Sequence, residues 1–124
     1  MQKHFLIPYK EDSGVPPYLP YLPFPRFLIP LDLSNDAKVL YALLFDRAGI
    51  SRENGYIDPN GRIRLYFTVE EAKEKLHRSR QVVTRAFQEL ERSGLIVRWK
   101  QGLGRPAVIT LNILPARKEG DAIV

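Results

Sequence analysis

The sequence predicts an α+β domain of the winged helix-turn-helix class, with a basic β-hairpin as its wing and a proline-rich arm at its N-terminus. Two short amphipathic helical patterns, separated by about three residues, are the first observation behind this prediction. A glycine-rich turn between two strand-like segments comes directly after them. Residues 78–105 also hold seven basic and two acidic side chains, and so account for the whole net charge of +5. That concentration of charge favours a polyanionic partner.

An extended arm is expected over residues 1–30, because seven of the ten prolines fall there. Proline fixes its own φ angle and drives the preceding residue toward extended geometry. Aromatic side chains interrupt the prolines at Tyr18, Tyr21 and Phe24, so we expect the arm to lie on the domain or on a partner. The alternative is that the arm is a proline-motif ligand for another domain.

The first helix is predicted to begin after the capping residue Ser34 and to run to about Ala48. Tyr41 and Phe45 lie beside its apolar stripe and widen it beyond the needs of one small core. The arm, a second subunit or a larger core would each cover them, and the sequence leaves these three open. The inner face is predicted to consist of Ala37, Leu40, Leu43 and Leu44.

A polar loop is expected after Gly49, followed by a hairpin whose turn is formed by residues 58–61, Asp-Pro-Asn-Gly. Its second strand is predicted to continue through Leu65, Tyr66 and Phe67.

Two further helices form the predicted helix-turn-helix. Thr68 and Glu71 make a capping box for the second helix, which is expected to end near His77. Ser79 caps the third helix, and Gly94 ends it. The buried faces are predicted to be Val69, Ala72 and Leu76 on the second helix, and Val83, Ala86, Phe87 and Leu90 on the third.

The predicted wing consists of a strand over residues 95–100, a glycine-rich turn over 101–106 and a returning strand over 107–114. In the first strand Leu95, Val97 and Trp99 alternate with the other three residues. The domain is therefore expected to span residues 31–114. Residues 115–124 are expected to be a tail or the start of a linker to a further C-terminal domain.

In this fold class the third helix enters the major groove of DNA. Arginine and glutamine can each form paired hydrogen bonds to base edges, which suits the polar side opposite Val83 to sequence recognition. The alternative is an ordinary solvated helix face. The residues predicted to contact bases are Gln81, Thr84, Arg85 and Gln88. Those predicted to contact the DNA backbone, some of them from the wing, are Arg78, Ser79, Arg80, Arg98, Lys100, Gln101 and Arg105. Possible dimer or arm contacts are Tyr41, Phe45, Tyr18, Tyr21 and Phe24.

Catalytic chemistry finds no support in the sequence, and we assign no catalytic residue, metal site or cofactor. The chain has no cysteine, and its two histidines, His4 and His77, lie in unrelated contexts. Gly102 and Gly104 do not belong to a nucleotide-binding loop, because the remaining glycine and the lysine of such a motif are missing. No stretch has the length and apolarity of a signal peptide or membrane helix, so a cytoplasmic protein is expected.

Residues 25–114 resemble the N-terminal domain of the replication initiator protein A family of plasmids from Gram-positive bacteria. The resemblance implies sequence-specific binding to iteron-type repeats at a plasmid replication origin, as a dimer, with a separate C-terminal domain that recruits replisome proteins. The long proline-rich arm departs from the family pattern. The segments that carry the resemblance are residues 33–41 (LSNDAKVLY), 46–47 (DR), 54–58 (NGYID), 60–62 (NGR), 67–68 (FT) with Glu70, 89–91 (ELE), 94–96 (GLI) and 100–106 (KQGLGRP).

Two other functions remain open from the sequence. A dimeric winged-helix transcriptional repressor would use the same third helix and wing at a promoter. A protein-interaction module would act through the proline-rich arm and need no DNA.

Overall fold

The computed structural model describes residues 20–53, 55 and 62–112, with the side chains of 50–53 excepted. The order of elements is that of a winged helix, which confirms the predicted fold class. No helix within these residues has the length and apolarity needed to cross a bilayer. The elements are a 3₁₀ helix η1 (Arg26–Leu28), α1 (Asn35–Glu53), β1 (Arg64–Tyr66), α2 (Val69–Leu76), α3 (Arg80–Arg92), β2 (Ile96–Trp99) and β3 (Val108–Leu111).

The three strands form an antiparallel sheet in the order β1-β3-β2. Ile109 is paired with Leu65 on one side and with Arg98 on the other, and this row faces the helices. Val108 is paired with Tyr66 and Trp99, and because side chains alternate along a strand, this row points away from the helices. We call the side of the sheet that carries Tyr66, Val97, Trp99 and Val108 the outer face.

The core lies between the three helices and the inner side of the sheet. Helix α3 packs against α1, α2 and β2, so its orientation is fixed from three directions. Its predicted inner face is confirmed, since those four residues are fully buried. The predicted stripe of α1 is buried at Ala37, Leu40 and Leu44, whereas Leu43 is half-buried. The fully buried side chains of α3 are Val83, Ala86, Phe87 and Leu90.

Each predicted helix cap is present. The hydroxyl of Ser34 accepts a hydrogen bond from the Ala37 N–H at 3.1 Å. The hydroxyl of Thr68 accepts one from the Glu71 N–H at 3.0 Å, and that of Ser79 accepts one from the Val82 N–H at 3.3 Å. These bonds satisfy backbone donors that have no partner inside the helix, and they fix where each helix begins.

Helix α1 is longer than predicted. It continues through Gly49 to Glu53 rather than ending near Ala48. Glycine in a helix interior costs only about 1 kcal/mol relative to alanine, which does not by itself end a helix. The predicted turn at residues 58–61 lies outside the described residues. The strand predicted to follow it is present as β1, which pairs with β3.

The end of the predicted arm is helical rather than extended. Residues 26–28 form η1, which places Leu28 in the core with no exposed surface. The ring of Phe27 packs edge-on against Tyr41 at a centroid distance of 5.5 Å. Tyr41 is fully buried and its ring contacts Phe45, which is half-buried, so the end of the arm and the core cover Tyr41 but leave part of Phe45 exposed. The described part of the arm before η1 is residues 20–25, and Tyr18 lies outside it.

We expect Tyr41→Phe to flatten the dependence of stability on alkaline pH. Burial raises the pKa of Tyr41 from 10.0 to about 12, and its hydroxyl donates a hydrogen bond to the Asn112 carbonyl at 2.9 Å. The protonated phenol therefore stabilises the fold fully below pH 10, and this contribution is lost as the pH rises toward 12. Urea unfolding at neutral pH should show a loss of about 1 kcal/mol in the variant. If the difference between the two proteins did not shrink between pH 10 and 12, this role for the hydroxyl would be wrong.

Candidate nucleic-acid interface

The turn between α2 and α3 sets the position of the candidate recognition helix. His77 ends α2 in the left-handed conformation, with φ of 54°, and its N–H donates to the Lys73 carbonyl. Ser79 then begins α3 through its cap. The reversal is complete within three residues, so α3 crosses α2 as the second helix of a helix-turn-helix.

The outward side of α3 carries the four residues predicted to contact bases. Gln81, Arg85 and Gln88 are exposed, and Thr84 is half-buried beside them. All four line a single open concavity together with Arg80. The structure therefore brings these side chains together on one surface, directly opposite the buried stripe of the helix.

The polar groups on this surface are available to a ligand. Within residues 20–53, 55 and 62–112, no hydrogen bond or ion pair engages the side chains of Gln81, Arg85 or Gln88. A guanidinium and two amides in this state can donate to base edges without first breaking a contact in the protein.

Two arginines at the start of α3 are already paired with carboxylates. The Nε of Arg78 lies 3.1 Å from Oδ1 of Asp36 on α1. Arg80 forms an ion pair with Glu70 on α2, and its side chain is 63% exposed. Ion pairs at such exposed positions contribute about 1 kcal/mol or less, so a phosphate could replace either carboxylate at little cost.

The wing presents its basic residues around a tight turn. Gly102 and Gly104 adopt φ angles of 135° and 77°, which residues with a side chain rarely adopt. The Arg105 N–H closes the turn on the Gly102 carbonyl at 3.2 Å. Lys100 and Arg105 are exposed and have no ion-pair partner in the described part of the chain. Gln101 is exposed too, and its amide approaches the Tyr66 hydroxyl at 3.5 Å.

Arg98 differs from the other basic residues of the wing. Its guanidinium lies over the ring of Phe87 at 4.5 Å and forms an ion pair with Glu91 at 2.9 Å. The side chain is only 24% exposed. Sequence analysis assigned Arg98 to the DNA backbone, whereas the structure places it between the wing and α3. The alternation along β2 contained the signal, because Arg98 shares its strand face with the buried Ile96.

Glu89 is a residue of α3 that sequence analysis did not single out. Its carboxylate accepts hydrogen bonds from the Ser34 N–H at 2.8 Å and from the Ser34 hydroxyl at 2.6 Å. These bonds join the start of α1 to α3 and help to fix the position of the candidate recognition helix relative to α1. No local pattern could have indicated a contact across 55 positions.

The described residues contain no group of three or more histidine, cysteine, aspartate or glutamate side chains that could hold a metal ion.

Residues 21–123 match the family model described as the N-terminus of replication initiator protein A. A relative from Lactobacillus helveticus named "41 kDa protein" is 39% identical over 83 residues. That match covers 64% of this chain but 24% of the relative, so the chain spans about a quarter of the relative's length.

Several solved structures share the fold, among them the following three. One described as "Structure of Rep-DNA complex" has a TM-score of 0.67 and 26% identity, covering 80% of this chain and 79% of that chain. The "N-Terminal domain of DNA binding protein" has a TM-score of 0.66 and 28% identity, with coverage of 81% and 79%. The "Structure of MDR initiator" has a TM-score of 0.63 and 31% identity, with coverage of 81% of each chain.

Proposed function

Because the chain belongs to the family of replication initiator protein A N-terminal domains, we propose that it binds specific double-stranded DNA at a plasmid replication origin. Its targets there are iteron-type repeats, and it acts in the cytoplasm as the DNA-binding module of a replication initiator, without catalytic chemistry of its own. The solved relatives described as a Rep-DNA complex and as an initiator support this assignment.

The observation that carries the proposal is the polar surface of α3 beside the basic wing, where Gln81, Arg85 and Gln88 have no partner among the described residues. We assign base contacts in the major groove to Gln81, Thr84, Arg85 and Gln88. The guanidinium of Arg85 can pair with O6 and N7 of a guanine, and the amides can pair with N6 and N7 of an adenine.

Contacts to the DNA backbone come from both ends of this surface. Arg78, Ser79 and Arg80 lie at the start of α3, where phosphates would take the place of Asp36 and Glu70. On the wing, we assign contacts to the DNA backbone to Lys100, Gln101 and Arg105. Arg98 is assigned to hold the wing against α3 through Glu91 and Phe87, and so to support the DNA contacts of the wing indirectly.

We further propose that the domain works as a dimer, in which two copies contact neighbouring half-sites along the DNA. Recruitment of replisome proteins is assigned to a C-terminal domain in the longer protein. This part of the proposal rests on the family and on the greater length of the relative.

Footprinting over the parent replicon tests the proposed function. Protection of repeats in the origin, with half-sites about 10 base pairs apart or at multiples of that distance, is the expected result. Deleting the protected site from the plasmid should abolish replication. If replication continued and a neighbouring promoter became active instead, the chain would be a transcriptional repressor.

Arg105→Ala is expected to weaken binding to all duplexes about equally, because a phosphate contact carries no sequence information. The slope of log K against log salt should become less steep by about 0.9, which corresponds to one phosphate contact. Fluorescence anisotropy with a specific and a scrambled duplex measures both effects. Arg26→Ala, an exposed arginine outside the interface, is the matched control and should leave the slope unchanged. An unchanged slope in Arg105→Ala would remove this residue from the interface.

Glu91→Gln is expected to weaken DNA binding about two- to five-fold, although it removes a negative charge near DNA. The reason is that Arg98 loses the carboxylate that holds the wing against α3, an interaction of up to about 1 kcal/mol. Glu74→Gln removes the same charge from an exposed position on α2 and should leave binding unchanged or slightly stronger. If both variants strengthened binding equally, Glu91 would act only through its charge.

A further inference from the structure

The turn of the wing carries the most exposed large apolar side chain among the described residues. Leu103 is 105% exposed, and the next in this order, Tyr21, is 73% exposed. A leucine in this position adds nothing to the core, because its whole side chain lies in solvent. The contacts to the DNA backbone that we assigned to the wing do not use it either. Leu103 can be buried only against a partner outside the domain.

The local backbone places Leu103 at the corner of the turn. Residues 102–105 form a four-residue turn, which the Arg105 N–H closes on the Gly102 carbonyl at 3.2 Å. Gly104, at the third position, has a φ of 77°, whereas Leu103, at the second, does not have a positive φ. This combination is that of a type II turn, in which the second and third residues form the corner. The turn therefore holds the leucine at the apex of the wing.

The apex is only one side chain wide. Gly102 and Gly104 lie on either side of Leu103 and add no side chain of their own. Apart from the adjacent residues, no part of the described chain lies within 4 Å of the position that a Cβ would take at either glycine. The minor groove of B-form DNA is about 6 Å wide, which excludes a helix but admits a single side chain on a tight turn.

The wing also has the reach for such a contact. Its last paired residues are Trp99 and Val108, so the chain between them projects beyond the sheet. The four residues from Trp99 to Leu103 span up to about 13 Å when extended. The base of the wing lies beside α3, where Arg98 is paired with Glu91. With α3 in the major groove, the apex can therefore pass one sugar-phosphate backbone and reach the adjacent minor groove.

Basic side chains lie on both sides of the apolar apex. Lys100 and Arg105 are exposed, and neither has an ion-pair partner in the described part of the chain. A narrow minor groove carries an enhanced negative potential that attracts lysine and arginine. Proteins that enter this groove combine basic residues with apolar side chains such as leucine. We propose that Leu103 enters the minor groove beside the bases read by α3 and selects A·T pairs there, an inference that rests on the proposed function.

The chemistry of the minor groove gives the contact this preference. An A·T pair presents only the acceptors adenine N3 and thymine O2, whereas a G·C pair adds the guanine N2 amino group. That amino group protrudes from the floor of the groove, so an apolar side chain meets it first. Leucine has no acceptor, and it would shield the amino group from water without a hydrogen bond in return. A guanine beneath Leu103 therefore lowers affinity, and the wing adds to specificity.

A base analogue that changes only the minor groove tests the proposal. Diaminopurine in place of adenine adds the amino group of guanine to the minor groove and leaves the major-groove edge unchanged. We expect a scan of the adenines in the specific duplex, one at a time, to find one or two sensitive positions beside those read by α3. There the unmodified protein should bind at least about fivefold more weakly, because the added donor is left without a partner.

Variants assign this response to the leucine. Leu103→Ser should lose the response to diaminopurine at those positions and stay as stable as the unmodified protein, because the residue is fully exposed. Val39→Ser, which changes an exposed apolar residue on α1, is the matched control and should keep the response. Arg85→Ala should keep it too, because the contact proposed for Arg85 lies in the major groove. Circular dichroism checks that each variant is folded.

Three results would overturn the inference. If no adenine responded to diaminopurine, or if Leu103→Ser kept the full response, Leu103 would not lie in the minor groove. If Arg105→Ala lost the response while Leu103→Ser kept it, the groove would be read by charge. Each of these results leaves the proposed function intact as long as the unmodified protein prefers the specific duplex to a scrambled one. Loss of that preference would overturn the proposed function and this inference together.

Discussion

Phe87→Ala is expected to lower the free energy of unfolding by about 3–5 kcal/mol. The Phe87 ring has no exposed surface and lies in the core, where α3 meets its neighbours. Truncation removes its burial energy and leaves a cavity that close-packed surroundings fill only in part. Domains of this kind are stable by about 5–15 kcal/mol, so the loss is a large share of the total.

The guanidinium of Arg98 packs on the same ring, so a change at Phe87 affects both the stability of the core and the position of Arg98. A second variant separates these two effects. Phe87→Leu keeps most of the volume and should cost less than about 1.5 kcal/mol of stability. It still removes the aromatic face beneath Arg98, so wing contacts with DNA should weaken while the fold survives. Urea unfolding followed by circular dichroism measures stability, and anisotropy measures binding. An alanine variant within 1 kcal/mol of the unmodified protein would place Phe87 outside the core.

Arg85→Ala is expected to weaken binding to the specific duplex by about 1–3 kcal/mol, roughly 5- to 150-fold. Discrimination should relax at one or two base positions, because the proposed bidentate contact to a guanine would be lost. Stability should not change. The side chain is exposed, and no contact among the described residues depends on it.

Arg85→Lys separates base reading from charge. Lysine keeps the positive charge but lacks the planar fork of donors that matches a guanine edge. Binding to a scrambled duplex should therefore be retained, while preference for the specific duplex falls toward that of the alanine variant. Arg26→Ala serves again as an exposed control. Full specificity in Arg85→Lys would mean that Arg85 contributes only a charge.

Local patterns predicted much of the helix-turn-helix. Ser79 and the apolar spacing of α3 sufficed to predict its first residue and buried side, because both signals lie within one helix. Gly94, with φ of 78°, ends that helix as expected. Once the buried side was fixed, helical geometry placed Gln81 and Arg85 on the opposite surface.

Contacts between segments that are distant in the sequence could not be predicted from it. The bonds from Ser34 to Glu89 and the packing of Phe27 on Tyr41 depend on how elements meet in space. Basic charge in the wing pointed to DNA, yet charge alone does not reveal that Arg98 is engaged by Glu91. The end of α1 was missed for another reason, since the signal at Gly49 was weaker than the tendency of the helix to continue.

Methylation interference over the origin repeats tests the central claim, that α3 reads base edges in the major groove. Guanine N7 lies in the major groove and adenine N3 in the minor groove. We predict that methylation of guanine N7 at one or two positions in each half-site prevents the unmodified protein from binding. At one of these positions, methylation should not change the binding of the Arg85→Ala variant. Interference confined to adenine N3, or absent from every base, would contradict the placement of α3 in the major groove.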